Sequence, residues 1–278
     1  MNREFEGLSA IVTGGAAGIG LACAQLLASR GCQVACLDLK VDALAPPLEA
    51  IACDVGSDAS VRAAIAQAAG RFGGIDIVIN NAGIGALGDV ASNDDAEWHR
   101  LFDINVLGVV RTTRAALPWL ERSRHAAIVC TCSAVALTGL PNRALYSATK
   151  GAVLSLTRAM AADFIATPIR VNCVTPGVVD TPWQTRAVES SVDPQARRAE
   201  LNGFQPSGRM ASAIEVARAI AYLASPASGS TTGVDLPVDG GLQALRASAS
   251  PASPAPRSGA GTSSGATTGT SRGAPTER

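Results

Sequence analysis

The stretch LSAIVTGGAAGIG, residues 8–20, decides the fold class of this chain. Its apolar first half is typical of a buried strand, and it runs directly into a turn with glycines at Gly14, Gly18 and Gly20. Such glycines allow a tight turn and bring backbone N–H groups close to a pyrophosphate, and the helix that follows presents its positive end to the same anion. The spacing is Gly-x-x-x-Gly-x-Gly, not the commoner Gly-x-Gly-x-x-Gly. A glycine-rich turn alone is weak support, but its place between a strand and a helix predicts a dinucleotide site.

Outward from this stretch, short β-branched runs alternate with Ala- and Leu-rich segments of helical period. Strands are predicted over residues 8–13, 33–38, 50–53, 75–80, 126–133, 169–174 and 234–238. Helices are predicted over residues 19–29, 58–71, 96–120, 144–165 and 213–224. Pro46 and Pro47 argue against a full helix between the second and third strands. The alternation predicts an α/β protein with a doubly wound parallel sheet, the Rossmann fold, in a single domain over residues 1–246.

The last 32 residues, Ala247–Arg278, differ abruptly from the rest: 28 of them are Ala, Ser, Gly, Pro or Thr, and none is Val, Leu, Ile or aromatic. Such a segment cannot bury enough apolar surface to offset its ordering entropy, so we predict a disordered tail. A linker or interaction tail is one interpretation, and a passive extension is the one we favour.

The bulk composition narrows the function. Lys and Arg total 23, as do Asp and Glu, so no basic field points to nucleic acid or to an anionic membrane. The start of the chain lacks a long apolar run, so no signal peptide or membrane span is expected. The seven cysteines show no CxxC pair or Cys/His zinc spacing. They indicate small core residues, a cytoplasmic protein and no metal site.

The second predicted strand ends at Asp38, eighteen residues beyond Gly20. A carboxylate there accepts hydrogen bonds from both ribose hydroxyls of an adenosine and repels the extra phosphate of NADP. No Arg or Lys immediately precedes it, although Lys40 follows two positions later. This pattern favours NAD as the cofactor.

Tyr146 and Lys150 are four residues apart, and this places a phenol and an ammonium on one face of a helix. A phenol has a pKa of about 10 and is a poor base. A nearby cation lowers such a pKa, so the phenol can exchange a proton with a substrate oxygen while a hydride moves to or from a nicotinamide. An incidental surface pair is the alternative, but the chain has only two tyrosines.

Further polar residues follow or lie between predicted strands. Ser133 ends a strand thirteen residues before Tyr146, where its hydroxyl can bond the reacting oxygen. Asn105 falls in a long helical segment; it is either a solvated residue or the holder of a water that relays protons from Lys150. The sequence Asn80-Asn81-Ala82-Gly83 closes another strand, where a cofactor crevice is expected to open.

On these motifs, together with Pro176-Gly177, residues 5–245 resemble the single-domain branch of the short-chain dehydrogenase/reductase family. The resemblance implies a catalytic tetrad of Asn105, Ser133, Tyr146 and Lys150, with Tyr146 as the acid/base and Lys150 also holding the nicotinamide ribose. Asp54 and Val55 would flank the adenine, Asn81 would lie under a ribose, and Thr181 would lie near the carboxamide. The implied cofactor residues are Gly14, Gly18, Ile19, Gly20, Asp38, Asp54, Val55, Asn81, Ala82, Gly83, Tyr146, Lys150, Pro176, Gly177, Val179 and Thr181. The resemblance also implies a homo-oligomer, a tetramer or a dimer.

A closer likeness, to cytosolic type-2 3-hydroxybutyrate dehydrogenases and related sugar-acid dehydrogenases, rests on residues 142–143, 161–165 and 179–182. It implies a substrate site of Ser133, Arg143 and Tyr146, with the Arg143 guanidinium binding a carboxylate through two hydrogen bonds. A solvated helix-start arginine is the equal alternative. Arg186 lies in a segment, about residues 183–204, that we predict to be a mobile substrate lid. Trp183 and this divergent lid depart from the family pattern and leave the substrate open.

The sequence therefore predicts an NAD-dependent oxidoreductase that acts on a secondary alcohol or ketone, such as a hydroxy acid or a sugar acid. One alternative is an NADPH-dependent ketoreductase of the 3-oxoacyl-carrier type, which Asp38 argues against. Another is a nucleotide-binding regulator without activity, which would be expected to lack the tyrosine and lysine that this chain keeps.

Overall fold

A computed structural model describes residues 3–245, so the tail predicted at 247–278 lies outside the described residues. Seven parallel strands form one sheet in the order β3-β2-β1-β4-β5-β6-β9, and a separate two-stranded pair joins β7 to β8. The strands are β1 Ser9–Thr13, β2 Gln33–Asp38, β3 Glu49–Ala52, β4 Ile77–Asn80, β5 Ala127–Thr131, β6 Arg170–Pro176, β7 Val179–Asp180, β8 Ala211–Ser212 and β9 Asp235–Val238. All seven predicted strands are present, with ends that shift by one or two residues.

The helices cover both faces of the sheet, as expected for strands that are apolar on both sides. They are α1 Gly18–Ser29, α2 Asp58–Phe72, α3 Asp95–Phe102, α4 Gly108–Leu120, α5 Ala144–Asp163, α6 Pro182–Glu189, α7 Pro194–Gly203 and α8 Ala213–Ala224. One core cluster packs α1 and α8 against the sheet, and the other packs α2, α4 and α5 against the opposite face. The predicted α/β, doubly wound parallel sheet is confirmed.

The helix predicted over residues 96–120 is present, but a π-helical turn, Asp103–Leu107, lies within it between α3 and α4. The backbone N–H of Gly108 donates to the carbonyl of Asp103, a bond that spans five residues. The extra residue in this turn changes the helical phase. Asn105 is thereby buried, while Val109 and Ala116 of α4 still reach the core under the sheet.

The predicted lid contains two helices, α6 and α7, which the sequence prediction did not include. Each begins with a capping residue followed by proline, Thr181-Pro182 and Asp193-Pro194, and each capping side chain accepts a backbone N–H from the first turn. This is a recognised start signal for a helix, so the sequence did carry the information. Between β2 and β3 the chain runs in turns through Pro46 and Pro47, as predicted.

Candidate active site

The predicted site residues converge at the carboxyl edge of the sheet. The strand order reverses between β1 and β4, and in open α/β sheets the crevice at such a reversal binds ligands. The glycine turn follows β1, Asn81 follows β4, Ser133 follows β5 and Pro176 ends β6. The fold therefore brings four separated motifs to one edge.

The glycine turn has the shape of an anion cradle. Gly14 and Gly18 have φ angles of +63° and +54°, a region that glycine adopts without strain. At Gly20, a Cβ would lie 2.1 Å from the carbonyl oxygen of Gly14, so any side chain would collide with the turn. The residue preceding α1 is Ala17, whose methyl group cannot cap the first N–H groups. A bound pyrophosphate would accept those N–H groups, so the turn fits the phosphates of a dinucleotide.

The turn is fastened to β4 by two side chains. The Asn81 amide nitrogen donates to the carbonyls of Thr13 at 3.1 Å and Gly14 at 3.2 Å. The Thr13 hydroxyl accepts the backbone N–H groups of Asn81 at 3.0 Å and Ala82 at 3.1 Å. Asn81 was predicted as a cofactor residue, whereas the role of Thr13 was missed; its only signal is a polar residue at the end of an apolar strand.

Asp38 lies against the same turn. One of its carboxylate oxygens accepts the N–H of Ala16 at 3.0 Å, and the other accepts the N–H of Leu39 at 2.8 Å. Cys53, directly after β3, lies beside Asp38, because its backbone N–H donates to the Asp38 carbonyl. Asp54 therefore follows at the same carboxyl edge of the sheet. The predicted ribose and adenine residues thus lie next to one another.

Tyr146 and Lys150 lie on consecutive turns of α5. Lys150 is 5% exposed, and its Nζ donates to the carbonyl of Thr131 at 2.8 Å, next to the end of β5. The same Nζ lies 5.8 Å from the centre of the Tyr146 ring. Ser133, two residues beyond the end of β5, caps a short 3-10 turn and accepts the N–H of Val135 at 3.4 Å. A buried ammonium thus lies beside the phenol, as the sequence predicts.

Asn105 is 1% exposed and is not a solvated residue. Its amide nitrogen donates to the Ile84 carbonyl at 2.9 Å and to the Thr149 hydroxyl at 3.1 Å, and its amide oxygen accepts the Ile84 N–H at 2.8 Å. Both amide donors are therefore used by the protein. A Cβ at Gly83 would lie 3.1 Å from the Asn105 amide oxygen and 3.6 Å from Lys150 Nζ, so these residues are neighbours. The side chain fixes the turn after β4 to the helix that carries Tyr146.

Arg143 is half-buried at the start of α5 and is not simply solvated. Its guanidinium donates to the Ala86 carbonyl at 3.3 Å. The backbone beside it is tied to the same loop, because Gly88 donates to the Asn142 carbonyl and accepts the N–H of Ala144. Arg143 thus holds the loop after β4 at a point three residues before Tyr146. Its guanidinium has five N–H donors, and the bond to Ala86 uses one of them.

The segment after β6 closes the other side of the site. At Gly177, a Cβ would lie 2.1 Å from the side-chain oxygen of Gln205 and 3.0 Å from the Cα of Asp239, so only glycine fits. Thr181 caps α6, and its methyl group would be 3.5 Å from a Cβ at Gly18. Gln205 is 2% exposed. Its position against Gly177 was not predicted, since nothing in its sequence context marks it.

An open cleft of 510 Å³ lies at the beginning of the lid segment. Its walls are Asp180, Thr181, Pro182, Thr185 and Arg186. Thr181 connects this cleft to the glycine turn, and Arg186 gives it a cationic, exposed side chain. This open cleft therefore lies beside the glycine turn, where Thr181 is its nearest wall.

The cysteines near the site are inert. All seven cysteines are buried and free, as the sequence predicts for small core residues. Burial raises the pKa of the Cys130 thiol to about 11, although Lys150 opposes the shift. Burial likewise raises the pKa of Cys132, whose thiol donates to the Lys150 carbonyl at 3.0 Å. Both thiols stay protonated near neutral pH and do not compete with Tyr146 for a substrate.

Within residues 3–245, no group of three or more His, Cys, Asp or Glu side chains is arranged to hold a metal ion. In the same described part, none of the helices has the length and apolar character needed to cross a membrane.

Comparison with known proteins agrees with this geometry. A family model described as Enoyl-(Acyl carrier protein) reductase matches residues 14–243. The chain belongs to the short-chain dehydrogenase/reductase family. It is accordingly an NAD(P)-dependent dehydrogenase that acts on alcohol groups.

Two relatives and one solved structure illustrate its place in the family. The chain is 36% identical to 2-(S)-hydroxypropyl-CoM dehydrogenase 3 of Xanthobacter autotrophicus over 88% of this chain and 100% of the relative. It is 38% identical to cis-4-hydroxycyclohexanecarboxylate dehydrogenase of Sinomonas cyclohexanicum, again over 88% of this chain and 100% of the relative. The ligand-free aldohexose dehydrogenase of Thermoplasma acidophilum superposes with a TM-score of 0.85 at 33% identity, covering 90% of this chain and 100% of that one.

Proposed function

We propose that this protein is an NAD-dependent dehydrogenase that interconverts a secondary alcohol and its ketone in a hydroxy acid or a sugar acid. The observation that carries the proposal is the buried ammonium of Lys150, 5.8 Å from the Tyr146 ring centre at the sheet edge where the glycine turn also lies. A phenol beside a fixed cation suits proton exchange with a substrate oxygen.

Each member of the tetrad then has a separate task. Tyr146 takes the proton of the alcohol during oxidation and returns it during reduction. The Ser133 hydroxyl donates a hydrogen bond to the same oxygen and orients it. Lys150 holds the nicotinamide ribose and keeps a positive charge near the phenol. Asn105 connects the loop after β4 to α5 through its bonds to Ile84 and Thr149. It also holds a water through which protons pass from Lys150. The nicotinamide, when bound, accepts or supplies the hydride.

The preference for NAD rests on Asp38. Its carboxylate is held by the N–H groups of Ala16 and Leu39 at the glycine turn, where the adenosine ribose would bind. A fixed negative charge there repels a 2′-phosphate. This argues against the NADPH-dependent reductase of acyl carriers, although the matching family model carries a reductase description. The retained Tyr146 and Lys150 argue against a regulator without activity.

The acidic substrate rests on Arg143 and on one relative. Arg143 lies three residues from Tyr146 and uses one guanidinium nitrogen on Ala86, so further N–H donors are available for a carboxylate. The name of the Sinomonas relative describes a hydroxy acid. Ser133, Arg143 and Tyr146 together would therefore select a hydroxyl group near a carboxylate.

The remaining proposals follow the family. Short-chain dehydrogenases act on small molecules and commonly form oligomers, so we propose a homotetramer or a homodimer without nucleic-acid or membrane partners. The free cysteines suit a reducing cytoplasm. We further propose one catalytic domain at residues 1–246, with a moving substrate lid at about 183–204; the tail predicted at 247–278 lies outside the described residues.

The test is NADH formation from a panel of hydroxy acids, sugar acids, neutral sugars and simple secondary alcohols, with NADP measured in parallel. We expect turnover with NAD and at least one hydroxy or sugar acid. Turnover only with NADPH and acyl-carrier ketones would establish the alternative reductase. NADH binding without turnover of any alcohol or ketone would favour the regulator.

A further inference from the structure

Arg111, in the first turn of α4, contacts two separate parts of the molecule. One guanidinium nitrogen donates to the carbonyl of Val55 at 3.0 Å and to the carbonyl of Asp103 at 3.2 Å. The other terminal nitrogen donates to the Asp103 carboxylate at 2.5 Å. A single side chain thereby joins the loop after β3 to the π segment that contains Asn105.

This arrangement differs from a surface ion pair on the same helix. The Arg111 side chain is only 16% exposed and has three acceptors, two of which are backbone carbonyls. Arg114, less than one turn later, is 65% exposed and donates only to Asp58. Exposed pairs contribute little to stability, whereas a shielded guanidinium with several fixed acceptors holds its partners in one geometry.

The Val55 loop lies against α4, where Arg111 contacts it. Val55 packs closely on α4, because a Cβ at Gly108 would lie 3.2 Å from the Val55 Cβ. The preceding residue turns sharply, with the Asp54 carboxylate accepting the N–H of Gly56 at 2.8 Å. Arg111 fixes the peptide carbonyl that lies between this turn and the helix.

We propose that Arg111 is a positioning residue for the adenine half of the cofactor, since it holds the Val55 peptide in the shape that forms the adenine pocket. The inference rests on the proposed binding of NAD along this edge, with Asp54 and Val55 beside the adenine. Arg111 also contacts Asp103 in the π segment, but Asn105 is held there by its own hydrogen bonds to Ile84 and Thr149. Loss of the guanidinium is therefore expected to affect adenine binding more than the chemical step.

The experiment compares the two halves of the cofactor as competitive inhibitors against NAD. Adenosine monophosphate probes the adenine half, and nicotinamide mononucleotide probes the other half. In Arg111→Met, which keeps the apolar stem and removes the donors, we expect the inhibition constant of adenosine monophosphate to rise about tenfold. The constant for nicotinamide mononucleotide and kcat at saturating NAD are expected to stay within about twofold.

Arg114→Met is the matched control, because it removes a guanidinium from the same helix without touching the Val55 loop; it is expected to change neither constant. Arg111→Lys tests the geometry if the methionine variant does not fold, since one ammonium cannot reproduce the fork between Val55 and Asp103. For this variant we expect a rise of about threefold for adenosine monophosphate alone.

An unchanged adenosine monophosphate constant in a folded Arg111 variant would overturn the inference. Equal weakening of both probes would overturn it too, because that is the signature of general destabilisation. Either result leaves the proposed function standing if the wild type still binds NAD. If the wild type binds neither NAD nor adenosine monophosphate, the proposed function itself fails.

Discussion

The nucleotide end and the catalytic end of the site are built in different ways. The nucleotide end is mostly local: residues 14–20 form it through backbone conformations that glycine allows, and Asp38, which we propose to bind the ribose, accepts the N–H of Ala16 in that turn. The catalytic end is assembled by side chains distant in sequence, such as Asn105 with Thr149, 44 residues apart, and Lys150 with the carbonyl of Thr131. Cofactor binding and the chemical step therefore depend on largely separate sets of contacts. Substitutions at one end are expected to change KM for NAD, and substitutions at the other end are expected to change kcat.

The largest effect is expected at the catalytic end. Tyr146→Phe removes the proton-exchanging hydroxyl and keeps the ring, so we expect kcat to fall about 10³-fold, within the usual range for a general acid/base. The dissociation constant for NADH, measured by fluorescence titration, is expected to stay within about twofold. Tyr222→Phe is the matched control, because Tyr222 is the other of the two tyrosines and is exposed on α8. Near-normal turnover in the Tyr146 variant would contradict the mechanism.

A smaller effect is expected at the nucleotide end. Asp38→Ser removes the charge that accepts the ribose hydroxyls, so KM for NAD is expected to rise roughly 30-fold, or about 2 kcal/mol. The preference for NAD over NADP should narrow because the repulsion of the 2′-phosphate is lost. Initial rates with both cofactors measure this, with Asp42→Ser, an exposed residue in the next loop, as the control. If kinetics with both cofactors are unchanged, Asp38 does not select the cofactor.

The smallest effect is expected at Arg143, which we propose to bind the substrate carboxylate beside the catalytic end. Arg143→Ala is expected to raise KM for acids about tenfold, or about 1.4 kcal/mol, and to leave neutral alcohols unaffected. The comparison needs one acid and one neutral substrate from the panel. Arg186→Ala, on the exposed lid helix, is the parallel variant. A rise for acids only in the Arg186 variant would move carboxylate recognition to the lid, and an equal rise for both substrate types in the Arg143 variant would make Arg143 purely structural.

The elements that the sequence predicted well are those with strong local patterns. The apolar strands and most helices could be predicted because their periodicity repeats over many residues. The π turn at Asp103–Leu107 was not predicted, because one extra residue shifts the helical phase without interrupting the run of helical residues. Helices α6 and α7 were missed although Thr181-Pro182 and Asp193-Pro194 mark their starts, since their short and polar sequences show little apolar period.

By itself, the sequence determined the fold class, the glycine turn and the spacing of Tyr146 and Lys150, because these follow from backbone chemistry and periodicity within single strands and helices. The proposed tetrad as a whole came from the resemblance to the family. Only the tertiary structure decided how the two ends meet. In the folded chain Asn105 is buried and both its amide donors are used. Thr13 and Asn81 hydrogen-bond the glycine turn to the end of β4, and Arg111 contacts Val55. Such contacts join residues that are tens of positions apart, and their hydrogen bonds become specific only when packing excludes water and fixes the distance.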